Sequence, residues 1–399
     1  MIEPVPKSND RNGEPALPKI DLILLPLIGF LTICLLVGPA ELVARRVGRD
    51  TQTALLSCLV INDASTGVRA IPNSECRGGV YESDVVAFKF NSCGHRAGME
   101  CGPKPRDTYR IVLIGSSFAE GLWVTREQTF AALLPIELSH RTGHKIELYN
   151  EAMQWGSPHS LDLRFDQVMA AEPNMILWAI TPWDINNAAL TLPDVETISE
   201  ADKHLPIAAG KSKEAPGQSS QSDGGPLFPI RTPVLLQHFL YESPSQYLGK
   251  YLSSRKAIGY LRTEPDPAWN VHMQQFETYV ANISARARAA RIPLVFTVVP
   301  ERAQAMMIST NSWPKGIDPY KVGEEVRTIA QKYGDTYIGI LGGFSNTPNP
   351  ENDYFPIDGH LDASGHKIVA DLLARALTTG AVADLNAAEQ TIVHSGRSR

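Results

Sequence analysis

The sequence lacks the marks of a protein that binds nucleic acid or zinc. Its 37 Lys and Arg form no dominant block, and against 43 Asp and Glu they leave a formal net charge of −6 at pH 7. This balance and a pI near 6.0 argue against nucleic acid as the partner. No Cys-x-x-Cys pair occurs, and most His residues are scattered without ligand spacing, which leaves zinc as the weaker interpretation of the cysteines.

Charge is absent altogether from residues 22–40, nineteen residues that read LILLPLIGFLTICLLVGPA. This length suits one membrane-spanning helix. Because residues 1–21 are mostly polar and exceed the usual start of a signal peptide, an anchor is favoured over a signal cleaved near Gly38-Pro39-Ala40. The flanking basic residues are balanced and do not orient the helix: Lys7, Arg11 and Lys19 precede it, and Arg45, Arg46 and Arg49 follow.

Four of the five cysteines follow this apolar run and fit a disulfide framework. They are Cys58, Cys76, Cys93 and Cys101, whereas Cys34 lies within the run as a small apolar residue. Three pairings are open to four cysteines, and proximity favours Cys58–Cys76 and Cys93–Cys101. Since disulfides persist in oxidising compartments, we expect a cytoplasmic tail at 1–21 and a stapled juxtamembrane extension at 41–107 on the other side of the membrane.

The part of the chain from 108 to 380 alternates short apolar strands with helical patterns. Strands are predicted at 110–115, 145–149, 175–181, 292–299 and 336–341, and helices near 127–142, 158–171, 268–290, 319–333 and 364–379. Such alternation predicts a three-layer α/β/α sandwich around a parallel sheet. The carboxyl ends of parallel strands meet at one edge, which would bring together Gly115–Ser117, Gly156, Asp184 and the loop 358–360.

Two segments depart from this alternation. Residues 188–267 form an insertion, in which small and polar residues at 208–226 predict a disordered surface loop. Apolar residues at helical spacing within 235–241 and 247–260 favour helices that cover the fold, with a lid or a surface touching membrane or a partner as the alternative. The C-terminal tail 381–399 shows no evident core face.

Catalytic chemistry is indicated at two distant places. Gly115 permits a tight turn after the first long strand, and backbone N–H groups that converge near Ser117 would stabilise an oxyanion beside it. Far along the chain, Pro356 disfavours helix around the stretch Phe355 to Asp362. Asp358 and His360 are two residues apart on extended chain and therefore point the same way, so the carboxylate can orient the imidazole toward a serine hydroxyl.

A serine at an early strand end and a late Asp-x-His resemble the SGNH, or GDSL, hydrolase superfamily over roughly residues 88 to 380. The resemblance implies a flavodoxin-like sheet and a catalytic triad of Ser117, His360 and Asp358. Gly115-Ser116-Ser117-Phe118 stands where the family usually has Gly-Asp-Ser-Leu or Gly-Asp-Ser-Phe. Ser116 therefore replaces the family's Asp and is the alternative nucleophile.

The family's oxyanion donors are matched less closely. The N–H of Ser117 is the first donor, and Gly156 is the second unless it serves only a turn. Where the family has an Asn amide as the third donor, this chain has Trp183, whose indole N–H can also donate. Asn186 or Asn187 would reach in from the following turn. In other enzymes, removing one such donor lowers transition-state stabilisation by roughly 3–4 kcal/mol. This departure therefore leaves a non-catalytic protein of this fold as an alternative.

Other motif residues are expected to be structural. The segment Asn91 to Arg96 is similar to an Asn-x-x-Gly-x-Arg element that often precedes the catalytic strand in bacterial members, and we expect it to tie the extension to the body. Asp362 is predicted to be a helix N-cap, and His366, which opens that helix, is predicted to be structural.

The resemblance implies acyl transfer, for which no metal or organic cofactor is required. The Asp-to-His spacing of two resembles that of members that modify exported polysaccharide. The expected substrate is an ester- or acetyl-bearing carbohydrate, and possible partners are envelope or polysaccharide-assembly proteins. The expected location is the bacterial inner membrane, as a single-pass protein with a periplasmic or extracellular catalytic domain. A non-catalytic binding or assembly module and a lipase-like or thioesterase-like hydrolase remain as alternatives.

Overall fold

A computed structural model describes residues 21–47, 55–60, 67–190, 232–254 and 258–386. Its first element is helix α1 (Asp21–Val47). Within the described ranges, one helical segment is long and apolar enough to cross a membrane, Pro26–Ala44, and only 6% of it is buried. The predicted cytoplasmic tail, apart from Asp21, and the predicted disordered loop at 208–226 lie outside the described residues.

The extension after α1 consists of two short antiparallel pairs. Strand β1 (Leu59–Val60) pairs with β2 (Arg69–Ala70), and β3 (Glu75–Gly78) pairs with β4 (Val86–Lys89). The disulfides Cys58–Cys76 and Cys93–Cys101 are both present, as proximity predicted. The buried face of this extension, which includes Phe88, packs against Trp123 and Met153 from loops of the main body. The extension therefore shares a core with those loops.

The main body is built on five parallel strands. They are β5 (Thr108–Gly115), β6 (Lys145–Asn150), β7 (Met175–Ile180), β8 (Leu294–Val298) and β9 (Thr336–Ile338). The spatial order is β6-β5-β7-β8-β9, which is the order of a flavodoxin-like sheet, and every pair in it is parallel. The predicted fold class is confirmed.

The helices that follow are α2 (Ser117–Glu120), α3 (Phe130–Thr142), α4 (Pro158–Leu163), α5 (Phe165–Ala170), α6 (Pro182–Asn186), α7 (Thr232–Glu242), α8 (Pro244–Ser253), α9 (Pro267–Ala289), α10 (Arg302–Thr310), α11 (Lys321–Lys332) and α12 (Ala363–Ala376). Helices cover both faces of the sheet, whereas α7 packs against α1 and the extension. Ile111 and Leu113 of β5 lie in the core under α3 and α12, whereas Val112 and Ile114 lie in the core under α5, α9 and α11. The two-residue period of a strand accounts for this division.

Three details differ from the sequence predictions. The predicted helix 158–171 is two helices that meet at Arg164, whose guanidinium donates to the carbonyl of Glu151 at 2.7 Å. Helix α10 was not predicted. In the described part of the tail, 381–386, Val382 and Leu385 are buried in the core beneath α12, where the sequence showed no core face. Short apolar segments of this kind carry too little periodicity to be read from sequence.

The cysteine pairing predicts a thiol count. Denatured without reductant, the full chain should show one reactive thiol, because Cys34 is free and the other four cysteines are paired. After reduction the count should rise to five. A thiol assay in guanidinium on protein kept oxidised measures both values. Five thiols before reduction would contradict the structure and the oxidising location.

Candidate active site

The turn from β5 into α2 places a serine at the carboxyl edge of the sheet. Gly115 has φ +155°, and a Cβ there would collide with the carbonyl of Ala179 on the neighbouring strand β7. Glycine at this position therefore lets the turn lie close against β7. Ser116 is the N-cap of α2 and Ser117 is its first residue.

The side chains of Ser117, His360 and Asp358 form a continuous chain of hydrogen-bonding contacts. The Oγ atom of Ser117 lies 2.8 Å from Nε2 of His360, and Nδ1 of His360 lies 2.6 Å from Oδ1 of Asp358. These contacts join residues 243 positions apart in the chain. A hydroxyl, an imidazole and a carboxylate at hydrogen-bonding distances have the arrangement of a nucleophile, its general base and the group that orients the base.

The imidazole of His360 is held on several sides. The ring of Phe118 lies 4.6 Å from it, centroid to centroid, and the backbone N–H of His360 also donates to Asp358. Burial alone would lower the pKa of His360, but the charge and hydrogen bond of Asp358 outweigh burial and raise it. Burial opposes ionisation of Asp358 too, yet the charge of His360 keeps the pKa of Asp358 below its ordinary value. Both shifts favour an imidazolium–carboxylate pair.

The alternative nucleophile, Ser116, has a different partner. Its side chain is buried, and its hydroxyl donates to Oδ2 of Asp184 at 3.1 Å. The same carboxylate oxygen accepts from the N–H and the hydroxyl of Thr181 at 2.7 and 2.6 Å. Burial raises the pKa of Asp184 to about 6, against these hydrogen bonds. Ser116 thus joins the start of α2 to the start of α6, and the His360 contact belongs to Ser117.

The predicted oxyanion donors divide into three cases. The N–H groups of Ala119 and Glu120 both reach the carbonyl of Ser116, whereas the N–H of Ser117 meets no acceptor among the described residues. The N–H of Gly156 donates to the carbonyl of Met153 at 2.8 Å, so in this structure it stabilises a backbone turn. For Gly156 the geometry therefore departs from the predicted donor role.

The third donor position contains Trp183 and Asn186, both half-buried on α6. Trp183 packs in the same cluster as Phe355, the residue that opens the Asp358–His360 loop. The side-chain amide of Asn187 donates to the carbonyl of Trp183 at 2.8 Å and so holds α6. Trp183 and Asn186 remain the candidates for this position, because Asn187 is used within the helix.

The sequence did not predict two carboxyl groups near His360, that of the buried Glu120 and that of the half-buried Glu301. Glu301 follows β8 and raises the pKa of His360 through its charge, as does Glu120 at the end of α2. Burial raises the pKa of each carboxyl to about 7. Glu120 accepts from the N–H of Gln154 at 2.5 Å. The position of Glu301 just after a predicted strand was a usable signal, whereas nothing in the sequence marked Glu120.

A third missed residue is Glu82, in the turn between β3 and β4. Its carboxylate accepts from the N–H of Ile357 at 2.9 Å and from the N–H of Asp358 at 3.1 Å. Nδ1 of His238 on α7 lies 2.8 Å from the same carboxylate. The extension therefore binds the backbone of the loop that carries Asp358, and α7 joins it through His238.

The predicted structural residues have the expected contacts. Arg96 donates to the carbonyls of Glu120, Gly121 and Val124, and so ties the extension to the end of α2. Burial lowers the pKa of this guanidinium to about 10. Asn91 accepts from the N–H groups of Cys93 and His95. These contacts confirm that the segment links the extension and the body.

The helix after the triad loop also begins as predicted. Asp362 caps α12 by accepting from the N–H groups of Ser364 and Gly365. His366 is buried, and its Nδ1 accepts from the N–H of Phe130 at 3.3 Å. Burial lowers the pKa of His366 to about 3, so this ring stays neutral and structural.

Comparison with known proteins gives matches at the level of solved structures. No family model matches the chain, and no curated protein does. Matching structures include a catalytic mutant of Axe2, an acetylxylan esterase from Geobacillus stearothermophilus, at 12% identity and TM-score 0.37, covering 67% of this chain and 94% of that one.

The acetyl xylan esterase AlAXEase matches at 15% identity and TM-score 0.37, over 67% of this chain and 99% of that one. A putative lipolytic protein of the G-D-S-L family from Desulfitobacterium hafniense matches at 12% identity and TM-score 0.33, with the same coverage. At these identities and TM-scores, the matches assign no function to this chain.

The contacts of Glu82 predict a positioning effect. In Glu82→Gln the carboxylate charge is lost, so the N–H groups of Ile357 and Asp358, which both meet Oε2, keep only a neutral amide oxygen as their acceptor. A hydrogen bond to a charged group contributes about 1.5–3 kcal/mol and one between neutral groups about 0.5–1.5 kcal/mol. We expect a lower Tm and fluorophosphonate labelling of Ser117 slowed roughly tenfold, since 1.4 kcal/mol corresponds to a factor of ten in rate.

The matched control is Glu242→Gln. Glu242 is the other carboxylate on His238, at 3.2 Å, but its side chain is 53% exposed. An exposed pair of this kind contributes little to stability, so this variant should label at the wild-type rate. Equal labelling rates in all three proteins would remove Glu82 from the support of the triad.

Proposed function

We propose that this protein is a membrane-anchored serine esterase or acyltransferase that works through an acyl-enzyme on Ser117. The observation that carries the proposal is the Ser117–His360–Asp358 line, with its contacts of 2.8 and 2.6 Å. A serine hydroxyl is a weak nucleophile until an adjacent base accepts its proton, and His360 is at the right distance to do so.

In the first step, His360 Nε2 takes the proton of Ser117 as Oγ forms a bond to the ester carbonyl carbon. The carbonyl π pair moves onto oxygen, and the N–H of Ser117 and a donor from Trp183 or Asn186 stabilise that oxyanion. The N–H of Gly156 can donate to the oxyanion only if it first breaks its hydrogen bond to the carbonyl of Met153. Asp358, with Glu120 and Glu301 nearby, stabilises the imidazolium that forms.

The tetrahedral adduct then collapses. The bond from the carbonyl carbon to the leaving alkoxide breaks, and the alkoxide takes the proton held by His360. The acyl group remains on Oγ of Ser117. His360 next accepts a proton from water or from a sugar hydroxyl, whose oxygen attacks the acyl carbon and releases Ser117. With water as the acyl acceptor the protein is an esterase, and with a sugar hydroxyl as the acceptor it is an acetyltransferase.

The proposed substrate is an O-acetylated carbohydrate of the cell envelope or of an exported polysaccharide. The short Asp-to-His spacing supports it through the family resemblance, and half-buried Trp183 offers an aromatic surface beside the triad. The apolar helix and the two disulfides support a single-pass protein in the bacterial inner membrane with an oxidised, periplasmic body. Short acetyl esters should be cleaved in preference to long-chain esters, and the reverse preference would indicate a lipase or thioesterase.

A second candidate function is a non-catalytic binding or assembly module. Two observations favour it, the turn bond made by the N–H of Gly156 and the replacement of the family's Asn by Trp183. Such a module would keep the fold and show no reaction at Ser117. The labelling experiment that follows separates it from an enzyme.

The nucleophile assignment predicts how two neighbouring serines differ. A fluorophosphonate should label the wild type and fail to label Ser117→Ala, because the hydroxyl activated by His360 is gone. Ser116→Ala should still be labelled, since its hydroxyl bonds Asp184 and does not contact His360. Intact-protein mass spectrometry measures the adduct. Labelling of Ser117→Ala would move the nucleophile elsewhere, and no labelling of the wild type would favour the non-catalytic module.

The raised pKa of His360 predicts the pH dependence. Only neutral His360 can accept the serine proton, so kcat/KM for a small acetyl ester should fall as pH drops through a value above 6.5. In Glu301→Gln one charge that raises this pKa is removed, and the acidic limb should move to lower pH. Glu242→Gln is the control and should leave the limb in place. A limb unmoved in Glu301→Gln would show that Glu301 does not act on His360.

A further inference from the structure

Helix α7 presents an apolar surface that is exposed among the residues the structure describes. Leu236, Phe239 and Leu240 are 57%, 57% and 51% exposed, and their i, i+3, i+4 spacing places them on one face of the helix. We call these three residues the α7 apolar face. The opposite side of α7 packs inward, with Val234 and Leu235 buried.

This helix is joined directly to the end of the apolar helix α1. The N–H and the hydroxyl of Thr232 both donate to the carboxylate of Glu41, each at 2.9 Å. Ala44 lies fully buried in one cluster with Val234 and Leu235. The N-terminal end of α7 is therefore held against α1 at positions 41 to 44.

The length of the apolar part of α1 indicates where its contact with α7 lies relative to the bilayer. Residues 22–40 span about 28 Å at about 1.5 Å per residue, close to the roughly 30 Å of a bilayer's hydrocarbon core. Glu41 then falls at the boundary between hydrocarbon and headgroups. Leu42 and Val43, just past that point, are still 65% and 52% exposed. Exposed apolar surface thus continues from α1 onto the helix that packs against it.

We propose that α7 is an interfacial helix, and that its apolar face rests in the bilayer surface beside the α1 anchor. A helix of this kind inserts its apolar side about 5–10 Å into the headgroup and acyl boundary. The inference rests on the proposed membrane anchoring but makes a separate claim. The occupant of the α7 apolar face is lipid, and a protein partner on that face is the competing outcome.

The placement has a consequence for the triad. His238, on the inward side of α7, contacts Glu82, and Glu82 binds the backbone at Ile357 and Asp358. Two side chains therefore separate the membrane-facing helix from the loop that orients His360. Lipid contact along α7 would hold the triad near the membrane surface, where a membrane-associated or newly exported carbohydrate passes.

Spin labelling of the full chain in phosphatidylethanolamine and phosphatidylglycerol nanodiscs tests the proposal. Cys34 is free and exposed on α1, so a label there reports whether α1 lies in lipid. Phe239→Cys and Ile136→Cys, each with Cys34→Ser, place labels on α7 and on α3, where Ile136 is 67% exposed and apolar. Power saturation measures access of oxygen, which concentrates in lipid, and of a water-soluble nickel chelate.

We expect the ratio of oxygen to nickel access at position 239 to exceed that at position 136 severalfold. A nickel-accessible label at 239, with Cys34 in lipid, overturns the interfacial helix and leaves the anchor standing. A label at 239 shielded from both reagents places a protein surface on α7 and also overturns it. A nickel-accessible Cys34 overturns the anchor itself. Leu236→Cys repeats the test should Phe239→Cys fail to fold.

Discussion

The carboxylate of Glu82 is the contact on which the geometry of the site depends. Asp358 and His360 lie on a loop outside the five-stranded sheet, closed by an isolated antiparallel bridge between Tyr354 and Leu361. Glu82, from the extension, binds two consecutive N–H groups of this loop and so holds the backbone that carries the Asp358 side chain. A catalytic carboxylate must be held closely, because a small misplacement of the base lowers the rate steeply. The disulfide-bonded extension is therefore part of the site.

Three carboxyl groups, those of Asp358, Glu301 and Glu120, act on the pKa of His360. Glu120 and Glu301 each have a pKa raised to about 7 by burial, so near neutral pH each carries only part of a negative charge. In the proposed mechanism, their charge would stabilise the imidazolium that forms when Ser117 gives up its proton. The same charge lowers the fraction of neutral His360 available as a base. The acidic groups would therefore stabilise the imidazolium intermediate, and they would also lower activity at low pH.

Two positions, Ser116 and Trp183, depart from the motif of the hydrolase family that the sequence resembles. Ser116 replaces the usual Asp, and the buried carboxylate beside it comes from Asp184 on the next strand-to-helix turn. The pair keeps a hydrogen bond between α2 and α6. For the third proposed oxyanion donor, helix α6 offers the indole N–H of Trp183 or the amide of Asn186. In the proposed mechanism, the catalytic rate would depend on which of these side chains reaches the oxyanion.

The sequence by itself predicted the sheet, the apolar helix at 22–40, the favoured cysteine pairs and the three residues Ser117, Asp358 and His360 that the structure brings together. Each depends on a local pattern: an apolar run such as 110–115, the spacing of neighbouring cysteines, or two side chains two residues apart on extended chain. Only the tertiary structure showed that Glu82 supports Asp358, that Glu301 and Glu120 act on His360, that the N–H of Gly156 serves a turn, and that α7 packs on α1. These contacts join distant segments, such as residues 275 positions apart in the Glu82–Ile357 pair. Periodicity describes the face a residue takes within its own element, and it carries no information about which distant residue will meet it there.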